Sequence, residues 1–215
     1  MSEQMTIDKS VLVEITEMKR AHSALESALP HRKPVSVAVT SALPGEGKTT
    51  LVAGFAALSA RENGRRVLAM DLNWHAPCLH RLFGADLLDP DLARNGAPLQ
   101  KLVHHVPEFN LDVLPAFGEN FFSQGNGAEQ LLAERLLDKA RQCYDMIFVD
   151  TSKVFPLNRH MIDPVAVANK SDGVALIVAS GKTPRQEVKR AQFVLESAGA
   201  HLLGVVINNW QNPLS

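Results

Sequence analysis

The chain has few cysteines, no excess of charge of either sign and no long apolar run. Its two cysteines, Cys78 and Cys143, are too few for a disulfide framework or a cysteine-rich metal cluster. The formal net charge of −1 gives no reason to expect a nucleic acid or an anionic membrane as the main partner. No window approaches the ~18 consecutive apolar residues of a membrane span, and Met1 to Ser10 carry no signal-peptide core. These absences predict a cytoplasmic protein with reduced thiols.

Six apolar segments predict β-strands, and helical patterns separate most of them. The strands are expected at Val35–Val39, Val67–Met70, Leu111–Leu114, Met146–Val149, Val174–Val178 and Leu202–Ile207. Clear helical patterns cover Glu129–Gln142 and Pro184–Ser197, and Thr183 is expected to cap the second. Four strands are almost continuously apolar, which indicates burial on both faces. The alternation predicts an α/β fold of three layers, with helices on both faces of a mostly parallel central sheet.

The chain opens with a helical pattern of its own. Apolar residues recur at helical spacing from Asp8 to Leu29, and prolines then end the pattern. We therefore expect an N-terminal helix and linker over residues 1–34 and one domain over residues 35–215. Residues 83–99, rich in Asp, Pro, Gly and Asn, predict a surface connection.

A glycine-bearing segment follows the first predicted strand. Residues 41–50 read Ser-Ala-Leu-Pro-Gly-Glu-Gly-Lys-Thr-Thr and lead into an apolar helical stretch. A turn of this kind between strand and helix is typical of a phosphate-binding loop, in which backbone N–H groups and the helix N-terminus face an anion. Lys48 is predicted to reach the β- and γ-phosphates of a nucleotide, and the Thr49 hydroxyl to ligate Mg²⁺. Alanine at position 42 replaces the outer glycine of the usual motif, and an ordinary glycine-containing turn is the alternative.

Polar residues follow several of the strands. Ligands of open α/β sheets bind beyond the carboxyl ends of the strands, which places residues 41–49, Asp71, Asp150 and Asn208 around one crevice. Either aspartate could reach the Mg²⁺ of a bound nucleotide. The predicted catalytic residues are Lys48, Asp71 and Asp150, and the predicted metal ligands are Thr49, Asp71 and Asp150. The predicted nucleotide-binding residues are Pro44, Gly45, Glu46, Gly47, Lys48, Thr49, Thr50 and Asn208.

The order of these motifs resembles that of the bacterial tyrosine kinases (BY-kinases) of capsule and exopolysaccharide export, within the septum-positioning and partitioning ATPases. Residues 42–49 resemble the phosphate loop of that family. The second acidic motif of the family and the segment behind it are similar to residues 66–73 and 77–84. Its third motif is similar to residues 144–151, and its last third to residues 172–183 and 203–208. Leu43 stands where membrane-associated partitioning ATPases carry an extra lysine, which favours the kinase branch.

The resemblance implies ATP or ADP with Mg²⁺ as cofactors and assigns roles to several residues. By that likeness Asp71 belongs to the second acidic motif, Asp150 serves the metal, and Asn208 is a candidate for contacting the base. Asp163 falls where the family has another acidic residue. The implied partner is a membrane polysaccharide co-polymerase or chain-length regulator, which would hold the chain at the inner face of the plasma membrane. The family also forms rings through a helix carrying E-x-x-R-x-x-R, of which this chain keeps Glu17 and Arg20 but has Ser23 at the last position. An amphipathic helix packed on its own sheet is the alternative.

The chain departs from the family in its second and third motifs and in its tyrosines. Asn73 replaces the second aspartate of the D-x-D pattern, and because an amide cannot act as a base, we expect weakened catalysis. Residues 74–76, Trp-His-Ala, replace basic residues, and Ser152 replaces a proline. The one tyrosine, Tyr144, begins a predicted buried strand, so we expect it to pack and expect no phosphorylation of a C-terminal tail.

Three functions fit these observations. The first is an ATP-binding module of the BY-kinase type that transfers a phosphoryl group or hydrolyses ATP with Mg²⁺. The second is a catalytically degenerate regulatory or scaffold protein that binds nucleotide, an interpretation that Asn73 favours. The third is a positioning ATPase that cycles between dimer and monomer. A dinucleotide-dependent oxidoreductase is disfavoured, because no G-x-G-x-x-G follows the first strand.

Overall fold

A seven-stranded sheet forms the centre of the protein. The computed structural model describes residues 15–61, 64–118, 127–156 and 161–209. The strands are β1 (Val35–Ser41), β2 (Val67–Asp71), β3 (His104–Val106), β4 (Leu111–Leu114), β5 (Met146–Asp150), β6 (Gly173–Ala179) and β7 (Leu202–Asn208). Their order across the sheet is β3-β4-β2-β5-β1-β6-β7, and every neighbouring pair is parallel except β3 and β4. The mostly parallel sheet predicted from the sequence is confirmed.

Helices cover both faces of this sheet. They are α1 (Thr16–Ala28), α2 (Lys48–Ala60), α3 (Leu79–Phe83), α4 (Pro90–Arg94), α5 (Ala128–Cys143), α6 (Pro164–Lys170) and α7 (Arg185–Ser197). One apolar core contains side chains of α1, α2 and α3, and a second core, on the opposite face, contains side chains of α5, α6 and α7. The three-layer α/β architecture is therefore confirmed. None of the helices in the described residues has both the length and the hydropathy needed to cross a bilayer.

One local prediction is wrong, and two short elements carry no signal in the sequence. Residues 83–99 contain a helical turn at Pro90–Arg94, and β3 adds an antiparallel edge strand that has no apolar run to reveal it. Thr183 does not cap α7: the helix follows Pro184 without a side-chain cap, and the threonine hydroxyl bonds elsewhere. The first helix is described from Thr16, and the earlier part of its predicted span, like the last residues of the chain, lies outside the described residues.

Helix α2 is buried between the sheet and α1. Its sequence is apolar on nearly every side, which is typical of a helix with no solvent face. The buried Ser59 hydroxyl lies 2.7 Å from His22 Nε2 and donates to Glu26 Oε1 at 3.1 Å, and Arg65 closes this network with an ion pair of 2.6 Å to Glu26. We propose that α1 folds together with the sheet, because it supplies the partners of a polar group that α2 would otherwise bury without them.

A polar cluster ties β1 to β6 at the end of the sheet where these strands begin. The Asp172 side chain is 5% exposed, and its Oδ2 accepts from the Ser36 backbone N–H at 2.8 Å. Arg141 approaches the same oxygen at 3.0 Å, and Arg32, which is 64% exposed, donates to Oδ1 at 2.7 Å. The buried carboxylate thus joins α5, β1 and β6 through a network that is satisfied mainly by buried groups.

The substitution Asp172→Asn measures how much this cluster contributes to the stability of the fold. Removing the charge leaves Arg141 half-buried without its counter-ion, so we expect the free energy of unfolding to fall by about 2–3 kcal/mol. The matched change Arg32→Gln removes a solvent-exposed partner and should cost less than about 1 kcal/mol. Urea unfolding of both variants measures the difference, and equal losses would contradict this assignment.

Candidate functional site

The loop between β1 and α2 has a backbone that requires glycine at two positions. Gly45 and Gly47 have φ values of 74° and 97°, in the left-handed region that residues with a side chain rarely adopt. A Cβ atom at Gly47 would also lie 2.6 Å from Asn208 Nδ2. Pro44 and Gly45 form the exposed crest of the loop, and Thr50 lies in the first turn of α2. The loop therefore has the strand–turn–helix geometry that the motif predicts.

Lys48 is buried at the base of the loop with a neutral partner. The residue is 8% exposed, and its Nζ donates to Ser41 Oγ at 2.9 Å. Ser41 in turn donates to the Leu43 carbonyl at 2.6 Å. Burial lowers the pKa of Lys48, while the carboxylates of Asp150 and Glu46 oppose this shift. An ammonium group held by a hydroxyl is ready to exchange that partner for a stronger anion.

Asp150 and Thr49 form a second polar pair beneath the loop. Thr49 Oγ1 donates to Asp150 Oδ2 at 2.6 Å, and the aspartate is fully buried. Its other oxygen, Oδ1, has no hydrogen-bond partner in the part of the chain that the structure describes. Burial raises the pKa of Asp150, and the negative charge of Asp71 raises it further. An orphaned carboxylate oxygen beside a hydroxyl matches the oxygen ligands that Mg²⁺ prefers, so these residues fit the predicted cation.

Asp71 lies next to Asp150 in the sheet but is engaged by the backbone. Parallel pairing of β2 with β5 sets the two aspartates side by side. Asp71 Oδ1 accepts from the Asn73 N–H at 3.0 Å, and Oδ2 accepts from the N–H groups of Cys78 and Leu79 at 3.3 and 3.2 Å. Burial raises its pKa, and these three bonds oppose the shift. The carboxylate therefore shapes the turn that leads into α3, and its role as a metal ligand stays a prediction.

The turn after β2 is built around the residues that depart from the family pattern. Asn73 Nδ2 donates to the Ala76 carbonyl at 3.0 Å, a bond that an aspartate could not make. Trp74 is buried, donates from Nε1 to the Asp71 carbonyl at 2.8 Å and packs edge-on against Phe117 at 5.1 Å between ring centroids. This role of Trp74 was not predicted, since the residue carries no signal in the sequence beyond its replacement of a basic side chain.

Glu46, included among the predicted phosphate-loop residues, turns its side chain into the protein. It is 2% exposed, and its carboxylate accepts from the Leu43 N–H at 2.8 Å and the Ala179 N–H at 3.1 Å. The Thr183 hydroxyl also donates to it. The contacts with Ala179 and Thr183 have no signal in the sequence, because 133 and 137 positions separate the partners.

The structure places the other candidate residues in three different settings. Asn208 joins the site: its Nδ2 donates to the Glu46 carbonyl at 3.0 Å. Asp163 caps α6, accepting from the Val165 N–H. Tyr144 packs as expected, and its hydroxyl donates to Asp112 Oδ2 at 2.7 Å. Contact of Asn208 with a base stays a prediction.

The two buried aspartates predict an unusual pH dependence of stability. Their raised pKa values mean that the folded protein holds protons that the unfolded chain, with aspartate pKa values near ~3.9, has released. The free energy of unfolding of the nucleotide-free, Mg²⁺-free protein should therefore fall as the pH rises from about 5 to about 8. The variant Asp150→Asn should flatten this slope, while Asp138→Asn, on the surface of α5, should not. Urea unfolding across the pH range measures the effect, and equal slopes for wild type and Asp150→Asn would contradict it.

Comparison with known proteins places this geometry in a family. Residues 37–215 match the model of the CobQ/CobB/MinD/ParA nucleotide binding domain. The chain is 30% identical over 212 residues to the tyrosine-protein kinase YwqD of Bacillus subtilis, covering 95% of this chain and 84% of that protein. It is 28% identical over 198 residues to the succinoglycan biosynthesis transport protein ExoP of Rhizobium meliloti, covering 88% of this chain but only 24% of ExoP. The chain thus spans most of one relative and about a quarter of the other.

Solved structures share the fold. The kinase domain of the Escherichia coli tyrosine kinase ETK superposes with a TM-score of 0.75 at 20% identity, covering 100% of this chain and 86% of that one. Cobyrinic acid a,c-diamide synthase from Mycobacterium smegmatis, solved with an ATP analog and magnesium, gives a TM-score of 0.64 at 18% identity over 83% of this chain and 76% of that one. Taken with the family match and YwqD, the chain belongs to the CobQ/CobB/MinD/ParA nucleotide-binding family, in its branch of bacterial tyrosine-protein kinases.

Proposed function

We propose that this chain is an ATP-binding kinase module of an exopolysaccharide or capsule system, and that it transfers the γ-phosphoryl group of ATP to a protein tyrosine. The observation that carries the proposal is the orphaned Oδ1 of buried Asp150, beside the Thr49 hydroxyl and close to a loop that holds a buried ammonium group. The names of YwqD, a tyrosine kinase, and ExoP, a succinoglycan transport protein, support the choice of reaction and pathway.

Different residues of the site would bind the phosphates and the cation of a nucleotide. Lys48 would exchange the Ser41 hydroxyl for phosphate oxygens, and because the ammonium is already buried, little further desolvation accompanies the exchange. Thr49, by donating its proton to Asp150 Oδ2, keeps its oxygen lone pairs available to a cation, and Asp150 Oδ1 offers a second oxygen. The bound Mg²⁺ would neutralise charge on the phosphates.

The phosphoryl acceptor must be a tyrosine other than Tyr144. That ring is buried, and its hydroxyl is bound to Asp112, so it cannot enter the crevice at the opposite ends of the strands. Asn73 stands where the family has a second carboxylate, and its amide cannot take a proton from an incoming hydroxyl. We therefore expect phosphoryl transfer, and not the binding of ATP, to limit the rate of the reaction. A degenerate regulatory module would instead bind nucleotide with no turnover at all.

The partners and location follow from the same proposal. A module of this branch would act with a membrane polysaccharide co-polymerase or chain-length regulator, at the inner face of the plasma membrane, and would assemble as a homo-oligomer. The name of ExoP, a succinoglycan biosynthesis transport protein, supports a partner in polysaccharide transport.

Titration with ATP and ADP in the presence of Mg²⁺ tests the proposal. The variant Lys48→Ala removes the buried ammonium, so nucleotide affinity should fall about tenfold to a hundredfold, measured by calorimetry. Lys189→Ala, which changes an exposed lysine on α7, should bind like the wild type.

Phosphate release and transfer to a tyrosine-containing peptide then separate the candidate activities. Slow turnover that Lys48→Ala abolishes supports the kinase module, and tight binding without turnover supports the regulatory module. A wild-type protein that binds neither nucleotide would exclude both.

A further inference from the structure

The phosphate loop contains a carboxylate where an anion is proposed to bind, which calls for an explanation. Glu46 lies between the two glycines of left-handed conformation, and a free negative charge there would repel a triphosphate. In the described part of the chain its hydrogen-bond donors are two backbone N–H groups and one hydroxyl, all of them uncharged. Its burial and these bonds direct the charge away from the open side of the loop.

The carboxylate connects two segments that are distant in sequence. One oxygen, Oε2, accepts from the Leu43 N–H at the start of the loop. The other, Oε1, accepts from the Ala179 N–H at the end of β6 and from the Thr183 hydroxyl. Leu43 is thereby removed as a donor to phosphate, and the loop is fastened to the turn formed by residues 179–183.

That turn is itself rigidly bonded. The Thr183 N–H donates to the Ala179 carbonyl at 3.0 Å, and the Ala179 N–H also reaches Thr183 Oγ1 at 3.0 Å. Ser180 donates to the Asn208 carbonyl at 2.8 Å, which joins the turn to β7. A support fixed at both ends can hold a glycine-rich loop in one conformation.

Asn208, which pairs with Ala179 in the sheet, holds the backbone of Glu46. Its Nδ2 donates to the Glu46 carbonyl at 3.0 Å. In a planar trans peptide the carbonyl and the following N–H point in opposite directions, so this bond turns the Gly47 N–H away from β7. The orientation of this N–H, one of the loop donors expected to face an anion, is therefore set by a residue outside the loop.

We propose that Glu46 and Thr183 form a latch that holds the phosphate loop in its nucleotide-binding conformation, which makes both of them positioning residues. The inference rests on the proposed nucleotide site and adds to it a support from the turn after β6. Thr183 thus acts in the latch and not as a helix cap, and the Glu46 carboxylate accepts hydrogen bonds from three donors. Loss of the latch lowers nucleotide affinity by leaving the loop to sample conformations that do not bind.

Paired substitutions isolate the latch. Thr183→Val keeps the shape of the side chain and removes the hydroxyl donor, whereas Thr183→Ser keeps the donor. Glu46→Gln places an NH₂ group against at least one N–H or O–H donor in either orientation of the amide, because all its partners donate. Ser59→Ala, which removes a buried hydroxyl near the far end of α2, is the control for a general loss of stability.

Two measurements test the proposal, and the first needs no nucleotide. Hydrogen–deuterium exchange of the nucleotide-free protein should become faster in residues 42–47 when Thr183 is changed to Val, and stay unchanged with Thr183→Ser and Ser59→Ala. Calorimetry with Mg²⁺ and ATP should show affinity about tenfold lower for Thr183→Val and for Glu46→Gln, and no further loss in the double variant, since both break one unit.

The outcomes distinguish the latch from the proposed function. Unchanged exchange at residues 42–47 in Thr183→Val, or a Thr183→Ser variant as impaired as Thr183→Val, would overturn the latch. Faster exchange there supports the latch even if the wild type binds no nucleotide, a result that would count against the proposed function alone. Equal loss of affinity in Ser59→Ala would show that lowered stability explains the effect, and would also overturn the latch.

Discussion

The pairing of β5 with both β1 and β2 is the constraint on which the site depends. It sets Asp150 beside Asp71 on one side and beside Val39 on the other, directly before the loop that leads into α2. Because β5 is a central strand with helices on both faces, the Asp150 carboxylate is fully buried. Its bond to Thr49 then ties the start of α2 to the sheet, so the helix N-terminus and the carboxylate meet at one point.

Burial disfavours the charged forms of the two aspartates and the lysine of this site. Two neighbouring carboxylates are desolvated together, which raises the pKa of each, and a buried lysine close by has its pKa lowered. Asp150 and Lys48 are not fully compensated within the described structure: Asp150 keeps an oxygen without a partner, and Lys48 is held by a neutral hydroxyl. A bound cation and anion would supply the missing charges, which is why the arrangement favours a metal–phosphate ligand over a purely structural role.

The departures from the family pattern are accommodated by specific contacts. Asn73 uses its amide to hold the Ala76 carbonyl, and Trp74 packs in the core under the same turn, where it donates to the Asp71 carbonyl. The fold is thus preserved where the chemistry of the motif has changed. Transfer to a hydroxyl would benefit from the missing carboxylate, because an amide cannot accept the proton.

The sequence by itself determined the layered fold and the identity of the loop, since apolar runs, the glycine spacing and the Lys48–Thr49 pair are local signals. It placed the six strands that it predicted, and the two clearest helices, to within one or two residues, and it brought Asp71 and Asp150 to the same edge. Only the tertiary structure decided what each polar group bonds to. The short edge strand β3 pairs with the nearby β4 through backbone groups that almost every residue carries, and Asp71 bonds to backbone N–H groups no more than 8 positions away, so neither leaves a pattern of side chains in the sequence. The contact between Glu46 and Thr183 spans 137 positions, and it leaves no pattern because any short polar side chain could supply such a donor.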